Sequence, residues 1–186
     1  MAQRQIASES APFAVPSFRL DGMVAVITGA SRGIGEAIAL AMAHAGASAV
    51  LVSRDQARLE KVAARIRSIG APAQVLPADL CETECITDVV TQAIRQFGSI
   101  DILVNNAGVC FLEPALDVTP ESWDKTFALN ARALFFMSQA VARHMIARGK
   151  GGKIVNIASQ LALIGMEQHA SYCASKAAVN LLTKTL

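Results

Sequence analysis

Aromatic residues supply only 5% of this 186-residue chain and charged residues 17%, against 53% hydrophobic. That balance excludes extended disorder and suits one compact globular domain. A formal charge of +2, from dispersed lysines and arginines, is too small for a nucleic-acid surface or an anionic membrane patch. No apolar run reaches the length of a membrane-spanning helix, and residues 1 to 20 lack the continuous apolar stretch of a secretory signal. A soluble, cytoplasmic protein with a small-molecule partner is therefore expected. The four cysteines form no CxxC pair and no Cys/His cluster, so no structural zinc is expected and all four read as free thiols. Cys173 reads as a small packing residue.

Residues 1–17 read as a flexible N-terminal extension, where Glu9, Pro12 and Pro16 interrupt the faint transit-peptide look of Arg4, Ser8 and Ser10. Residues 18–186 contain no repeat or linker and form one domain. In it, five apolar runs alternate with helix-period segments: Met23 to Thr28, Ala49 to Ser53, Ala73 to Ala78, Ile100 to Asn105 and Lys153 to Ala158. Runs apolar on both faces are expected of strands sandwiched between helices, and the alternation is that of βαβ units around a parallel sheet. The expected class is α/β, a Rossmann-type doubly wound sheet in three α/β/α layers.

Helices are predicted near residues 33–45, 55–69, 83–97 and 120–148, with a fifth from about His169 to Leu186. Gly46 and Gly70 sit where left-handed C-terminal caps belong. Thr119-Pro120 reads as an N-cap followed by proline at the first helical position. The segment 120–148 carries Trp123, Phe127, Leu129, Leu134, Phe135, Phe136, Met137, Val141 and Met145, more than one apolar stripe. The second stripe is covered either by a partner subunit, making a homodimer or homotetramer through 120–148 and 169–186, or by further chain.

After the first strand comes Thr28-Gly29-Ala30-Ser31-Arg32-Gly33-Ile34-Gly35, opening directly into a helix. Strand, glycine turn and helix make a phosphate site, because glycines admit the pyrophosphate and the free N–H groups at the helix start stabilise its charge. TGxxxGxG in this position resembles the cofactor motif of the short-chain dehydrogenase/reductase family. The likeness runs from about residue 18 to 186, with each motif in order.

The resemblance implies a dinucleotide held by Gly29, Ser31, Arg32, Gly33, Ile34 and Gly35. Cofactor choice is made where the second strand ends, because an acid there favours NAD(H) by meeting the adenine ribose. This chain has Ser53-Arg54 instead, and Arg54 with Arg32 suits a 2′-phosphate, so NADP(H) is favoured and NAD(H) remains open. Asp55 is either a ribose acid or the cap of the next helix. Asp79 and Leu80, past the third strand, would meet the adenine. Asn105-Asn106-Ala107-Gly108 resembles the family's NNAG, in which Asn106, Ala107 and Gly108 leave room along the cofactor and brace the sheet.

Tyr172, the only tyrosine, precedes Lys176 by four residues, so the two share a helix face. A phenol ordinarily ionises near pH 10, so work at neutral pH needs a nearby ammonium group. Ser159 lies thirteen residues before Tyr172, the family spacing, and Asn130 matches the fourth catalytic position. The resemblance implies that Tyr172 passes the proton, Ser159 holds the substrate oxygen, and Lys176 holds the nicotinamide ribose and acts on the phenol, Tyr172 and Lys176 both counting among the cofactor-binding residues as well. It also implies that Asn130 positions a water leading to solvent. His169 is read as touching substrate or solvent, and His44 and His144 as complementing helix C-termini.

The resemblance further implies a later strand, a Pro-Gly loop and a substrate lid that do not occur within these residues. Three functions are expected as alternatives: hydride transfer between NADP(H) and a carbonyl or secondary alcohol; reduction of a 3-oxoacyl thioester; or a catalytically silent nucleotide-binding remnant. No metal is needed for any of them.

Overall fold

The computed structural model describes residues 17–186; the N-terminal extension expected from the sequence falls, but for Ser17, outside them. Five parallel strands, β1 (Val24–Thr28), β2 (Ser48–Ser53), β3 (Ala73–Pro77), β4 (Ile102–Asn105) and β5 (Lys153–Asn156), lie in the order β3-β2-β1-β4-β5. The order reverses between β1 and β4, the switch point at which open α/β sheets bind ligands.

β1 shows why both faces must be apolar. Val24 and Val26 enter one core, with Ile86 and Val89 of α3 (Cys85–Phe97) and Met137 and Val141 of α5 (Leu134–Arg148). Ala25 and Ile27 enter the opposite core, with Ala39 and Ala43 of α1 (Gly33–His44) and Leu59 and Ile66 of α2 (Gln56–Ser68). Successive side chains alternate faces, so one fully buried strand serves two layers.

The expected caps are present. Asp55 Oδ1 accepts from the Arg58 amide at 3.0 Å and Thr119 Oγ1 from Ser122 at 3.1 Å, while Gly46 and Gly70 adopt positive φ after their helices. Capping, one of the two uses the sequence allowed for Asp55, is therefore a use it has. His44 ends α1, whereas His144 Nε2 accepts from the Ile100 amide at 3.3 Å, which is more than a dipole contact.

Two expectations are corrected. The segment 120–148 is not one α-helix: α4 (Pro120–Phe127) and α5 are joined by a π-helical turn, Ala128–Ala133. Each residue added to a helical turn rotates the remainder of the helix by about 100°. The apolar stripes of α4 and α5 are thus offset, which accounts for part of the breadth read as a second face. Trp123 and Phe127 stack at 4.9 Å on α4, while Met137, Val141 and Met145 fill the core from α5. β5, moreover, is not covered on both faces. Ile154 packs into the α3/α5 core, but among the described residues no hydrophobic side chain closes over Val155 on the other side, which is 43% exposed, and β5 pairs with β4 alone.

Asp101 ties the sheet's lower edge together. It accepts from the Val24 amide at 2.9 Å, from Ser99 Oγ at 3.2 Å and from Arg148 Nη1 at 2.7 Å. Burial alone would raise this carboxyl; the Val24 amide and the Arg148 guanidinium outweigh it and hold it below the usual carboxylate range. A carboxylate depressed on folding stabilises above its unfolded pKa, and that stability is lost as pH falls through the lower folded value. Asp101→Asn is expected to cost about 1–3 kcal/mol at neutral pH and to flatten the acid limb of a denaturation series; an unchanged acid limb would assign that loss to other groups.

Candidate active site

The glycine turn leaves β1 and folds back under the tip of β4. Gly29 has φ +67°, and a Cβ there would stand 2.8 Å from Asn106 Nδ2 and 2.9 Å from the Ala107 backbone. A Cβ on Gly35 would collide with the Gly29 carbonyl. Both positions need glycine because two loops approach at backbone contact. Whereas α2 and α4 have side-chain caps, α1 begins at Arg32 without one. Its first-turn amides are thus left to an anion or to water.

Asn106 locks the turn to β4. Its Nδ2 donates to the Thr28 carbonyl at 3.0 Å and to the Gly29 carbonyl at 3.3 Å. Thr28 Oγ1 accepts from the amides of Asn106 and Ala107, both at 3.0 Å. The sequence did not single out Thr28 for this work, since a threonine closing a strand carries no pattern of its own. Behind the turn, Asn105 Nδ2 donates to Ser138 Oγ and Asn156 Oδ1, each at 2.9 Å, which fastens β4 to α5 and β5.

At the tips of β2 and β3, Arg54 lies 3.6 Å from Asp79, with side chains 66% and 42% exposed. So open a pair contributes little, and either partner is free to exchange it for a ligand. Asp79 Oδ1 also accepts from the Cys81 amide at 3.0 Å, which shapes the turn after β3. Arg58, absent from the sequence-derived set, joins this cluster through Asp55 at 3.0 Å.

A cleft of about 560 Å³ unites these pieces. Its walls include Gly29, Ser31, Arg32, Gly33 and Ile34 of the turn, Ser53 at the end of β2 and Arg54 after it, Asp79 and Leu80 after β3, and Asn106, Ala107 and Gly108 after β4. Gly35 lies buried beneath the turn. The cleft thus gathers twelve residues that the sequence assigns to a cofactor, and its uncapped helix start, small-residue floor and arginines suit a dinucleotide.

Beyond Gly108 lies the group expected to react. Asn130, in the π-turn and only 1% exposed, accepts from the Val109 amide at 2.8 Å and donates to the Val109 carbonyl at 2.9 Å and to Ser175 Oγ at 3.0 Å. Ser175 is on α6 (Ala170–Thr185), so one carboxamide joins three segments. A π-turn is the local device that swings a side chain off the regular helix path. Lys176, 5% exposed, donates to the Ile157 carbonyl at 2.7 Å, two residues before Ser159; burial lowers its pKa from the ordinary lysine value. Its Nζ lies 5.9 Å from the centre of the Tyr172 ring. A Cβ on Gly108 would be 3.2 Å from Asn130 Oδ1 and 3.6 Å from Lys176 Nζ, so the cleft's end touches both residues.

Ser159, half-buried, caps the single 3₁₀ turn Gln160–Ala162, its Oγ accepting from the Leu161 amide at 3.2 Å. His169 is also half-buried; its ring stands edge-on to Tyr172 at 6.3 Å and its Nδ1 meets the Glu167 carbonyl. Ser175 was missed by sequence reasoning because a small hydroxyl on a helix advertises no partner.

A five-stranded doubly wound sheet with this turn at its switch point defines a nucleotide-binding α/β protein. The chain belongs to the short chain dehydrogenase family, whose model matches residues 23–186. It is 44% identical over 167 residues to a sorbitol dehydrogenase of Cereibacter sphaeroides, covering 90% of this chain and 64% of that one. A metagenomic short-chain oxidoreductase in complex with NADP superposes with a TM-score of 0.86 at 39% identity, over 89% of this chain and 75% of the other. An NAD+-bound xylitol dehydrogenase gives 0.86 at 34% identity, over 89% and 64%. The chain thus spans just under two thirds of the sorbitol dehydrogenase's length. Among the described residues, no helix is long and apolar enough to cross a membrane.

Proposed function

We propose that the protein carrying this chain is an oxidoreductase that interconverts a carbonyl and a secondary alcohol with NADP(H), residues 18–186 supplying the cofactor cleft and the proton-transfer group. The observation that supports this most directly is the continuity of the cleft with Asn130 and Lys176 across Gly108. When bound, a nicotinamide dinucleotide supplies or accepts the hydride.

Tyr172 passes the proton at the substrate oxygen, acting as an acid in reduction and as a base in oxidation. Ser159 Oγ, on the 3₁₀ turn after β5, hydrogen-bonds the same oxygen and steadies its developing charge. Lys176, held by the Ile157 carbonyl, keeps N–H donors that would hold the nicotinamide ribose, and its charge favours the phenolate of Tyr172. Asn130 holds the loop after β4 against α6, so that these groups keep their spacing. The names of the sorbitol and xylitol dehydrogenases support a polyol or keto-sugar substrate.

The arginines of the cleft, with Ser53 in place of an acid, favour NADP(H). Replacing Arg54 with aspartate is expected to move the NADP-to-NAD ratio of kcat/KM towards NAD by about ten- to a hundredfold, the worth of a charge-assisted hydrogen bond. An unchanged ratio would assign the choice to Arg32 or Arg58. Exposed Phe136 and Ile146 of α5 and Leu181 of α6 support a homo-oligomer through these helices, which light scattering would refute by finding a monomer. The decisive test is a panel of polyols, ketones and acyl thioesters given to the full protein while NADPH absorbance is monitored. Tight NADPH binding without turnover of any would favour the silent remnant instead.

A further inference from the structure

The π-turn Ala128–Ala133 sends its polar side chains two ways. Asn130 is 1% exposed and binds Val109, on the loop after β4. Arg132 is exposed, and its Nη2 donates to the Cys81 carbonyl, on the loop after β3, at 2.7 Å. Each residue advances a helix by about 100°, so positions two apart face nearly opposite ways. One turn thereby grips two loops, and both loops are walls of the cleft: Asp79 and Leu80 on one, Ala107 and Gly108 on the other. The Cys81 carbonyl stands at the end of a chain of contacts. The Cys81 amide donates to Asp79 Oδ1 at 3.0 Å, and Arg54 Nη1 lies 3.6 Å from Asp79 Oδ2. Arg54, Asp79, Cys81 and Arg132 also line one hollow beside the cleft, so the chain of contacts is continuous in space.

We propose that Arg132 is a positioning residue for the adenine end of a bound dinucleotide, acting through Cys81 and Asp79 and not by touching the nucleotide. The loop after β3 does not need Arg132 to stay folded. Leu80, 4% exposed, is buried in the α3/α5 core, and the Glu82 amide closes the turn onto the Asp79 carbonyl at 3.0 Å. What Arg132 adds is the orientation of the Cys81 backbone, whose amide in turn aims the Asp79 carboxylate. An aimed acceptor binds better than one that must be ordered when the ligand arrives, because the ordering is done beforehand. The proposal rests on the dinucleotide reading of the cleft but not on hydride transfer. A silent nucleotide-binding protein would use Arg132 in the same way.

The test is calorimetric titration of the full protein with NADPH and with NADH, beside a melting curve for each variant. Arg132→Met keeps a long stem and removes every donor. It is expected to weaken both dinucleotides by the same factor, about three- to tenfold, the size of effect one hydrogen bond has. The melting temperature should stay where it was, and Arg132→Lys, which keeps a donor on a stem of similar length, should recover most of the affinity. Where turnover is measured, KM for the cofactor should rise and kcat hold. Unchanged affinity in Arg132→Met would overturn the proposal, as would a melting temperature that falls with the affinity, or a lysine variant no better than methionine. A changed NADPH-to-NADH ratio would overturn it too, because Arg132 would then meet the 2′-phosphate directly. Unaltered protein that binds neither dinucleotide would instead defeat the reading of the cleft itself.

Discussion

Tyr172→Phe is expected to lower turnover of the full protein by on the order of a thousandfold while leaving NADPH affinity nearly unchanged. The substitution removes one hydroxyl and keeps the ring that lies 5.9 Å from Lys176 Nζ and edge-on to His169. Packing is thereby preserved and only the proton route is cut. Steady-state kinetics together with NADPH titration separate the two effects. Retained turnover would give the proton to another group, for which His169, edge-on to the ring at 6.3 Å, is a candidate. A parallel loss of cofactor binding would show instead that the phenol belongs to the nucleotide site.

The second large effect is expected at Asn130. Asn130→Ala deletes three hydrogen bonds, the one to Ser175 buried and the two to half-buried Val109 partly so, and removes the partner of the Val109 amide and carbonyl. The expected cost is about 2–4 kcal/mol, which for a domain of this size lowers the melting temperature by roughly 10 °C. Turnover should fall as well, because the loop after β4 and the start of α6 lose their shared anchor beside Lys176. Asn130→Asp keeps the acceptor for the Val109 amide but loses both donors, and should fall between the two. A melting temperature unchanged in Asn130→Ala would mean that the π-turn is held by packing and not by this carboxamide.

Much of this architecture was legible before any coordinates. β1, β2 and β4 announce themselves by apolar runs on both faces, and each crossover by a cap or a glycine. Asp55, Thr119, Gly46 and Gly70 act where local rules put them. The glycine turn was readable for a related reason: it has to let backbone meet backbone, and only glycine at positions such as 29 and 35 allows it. What escaped notice were partners rather than elements. Thr28, Ser175 and Arg58 are ordinary residues in their own segments and gain their roles from Ala107, Asn130 and Asp55 across the fold or along it.

The chain alone determined the order and kinds of its elements and where the glycine turn opens, because periodicity, capping and backbone freedom act within a few residues of each position. The π-turn at Asn130, the Arg54 contact with Asp79 and the open face of β5 were decided only in three dimensions. Each depends on what a distant segment brings within hydrogen-bonding or packing range, and no local pattern carries that information.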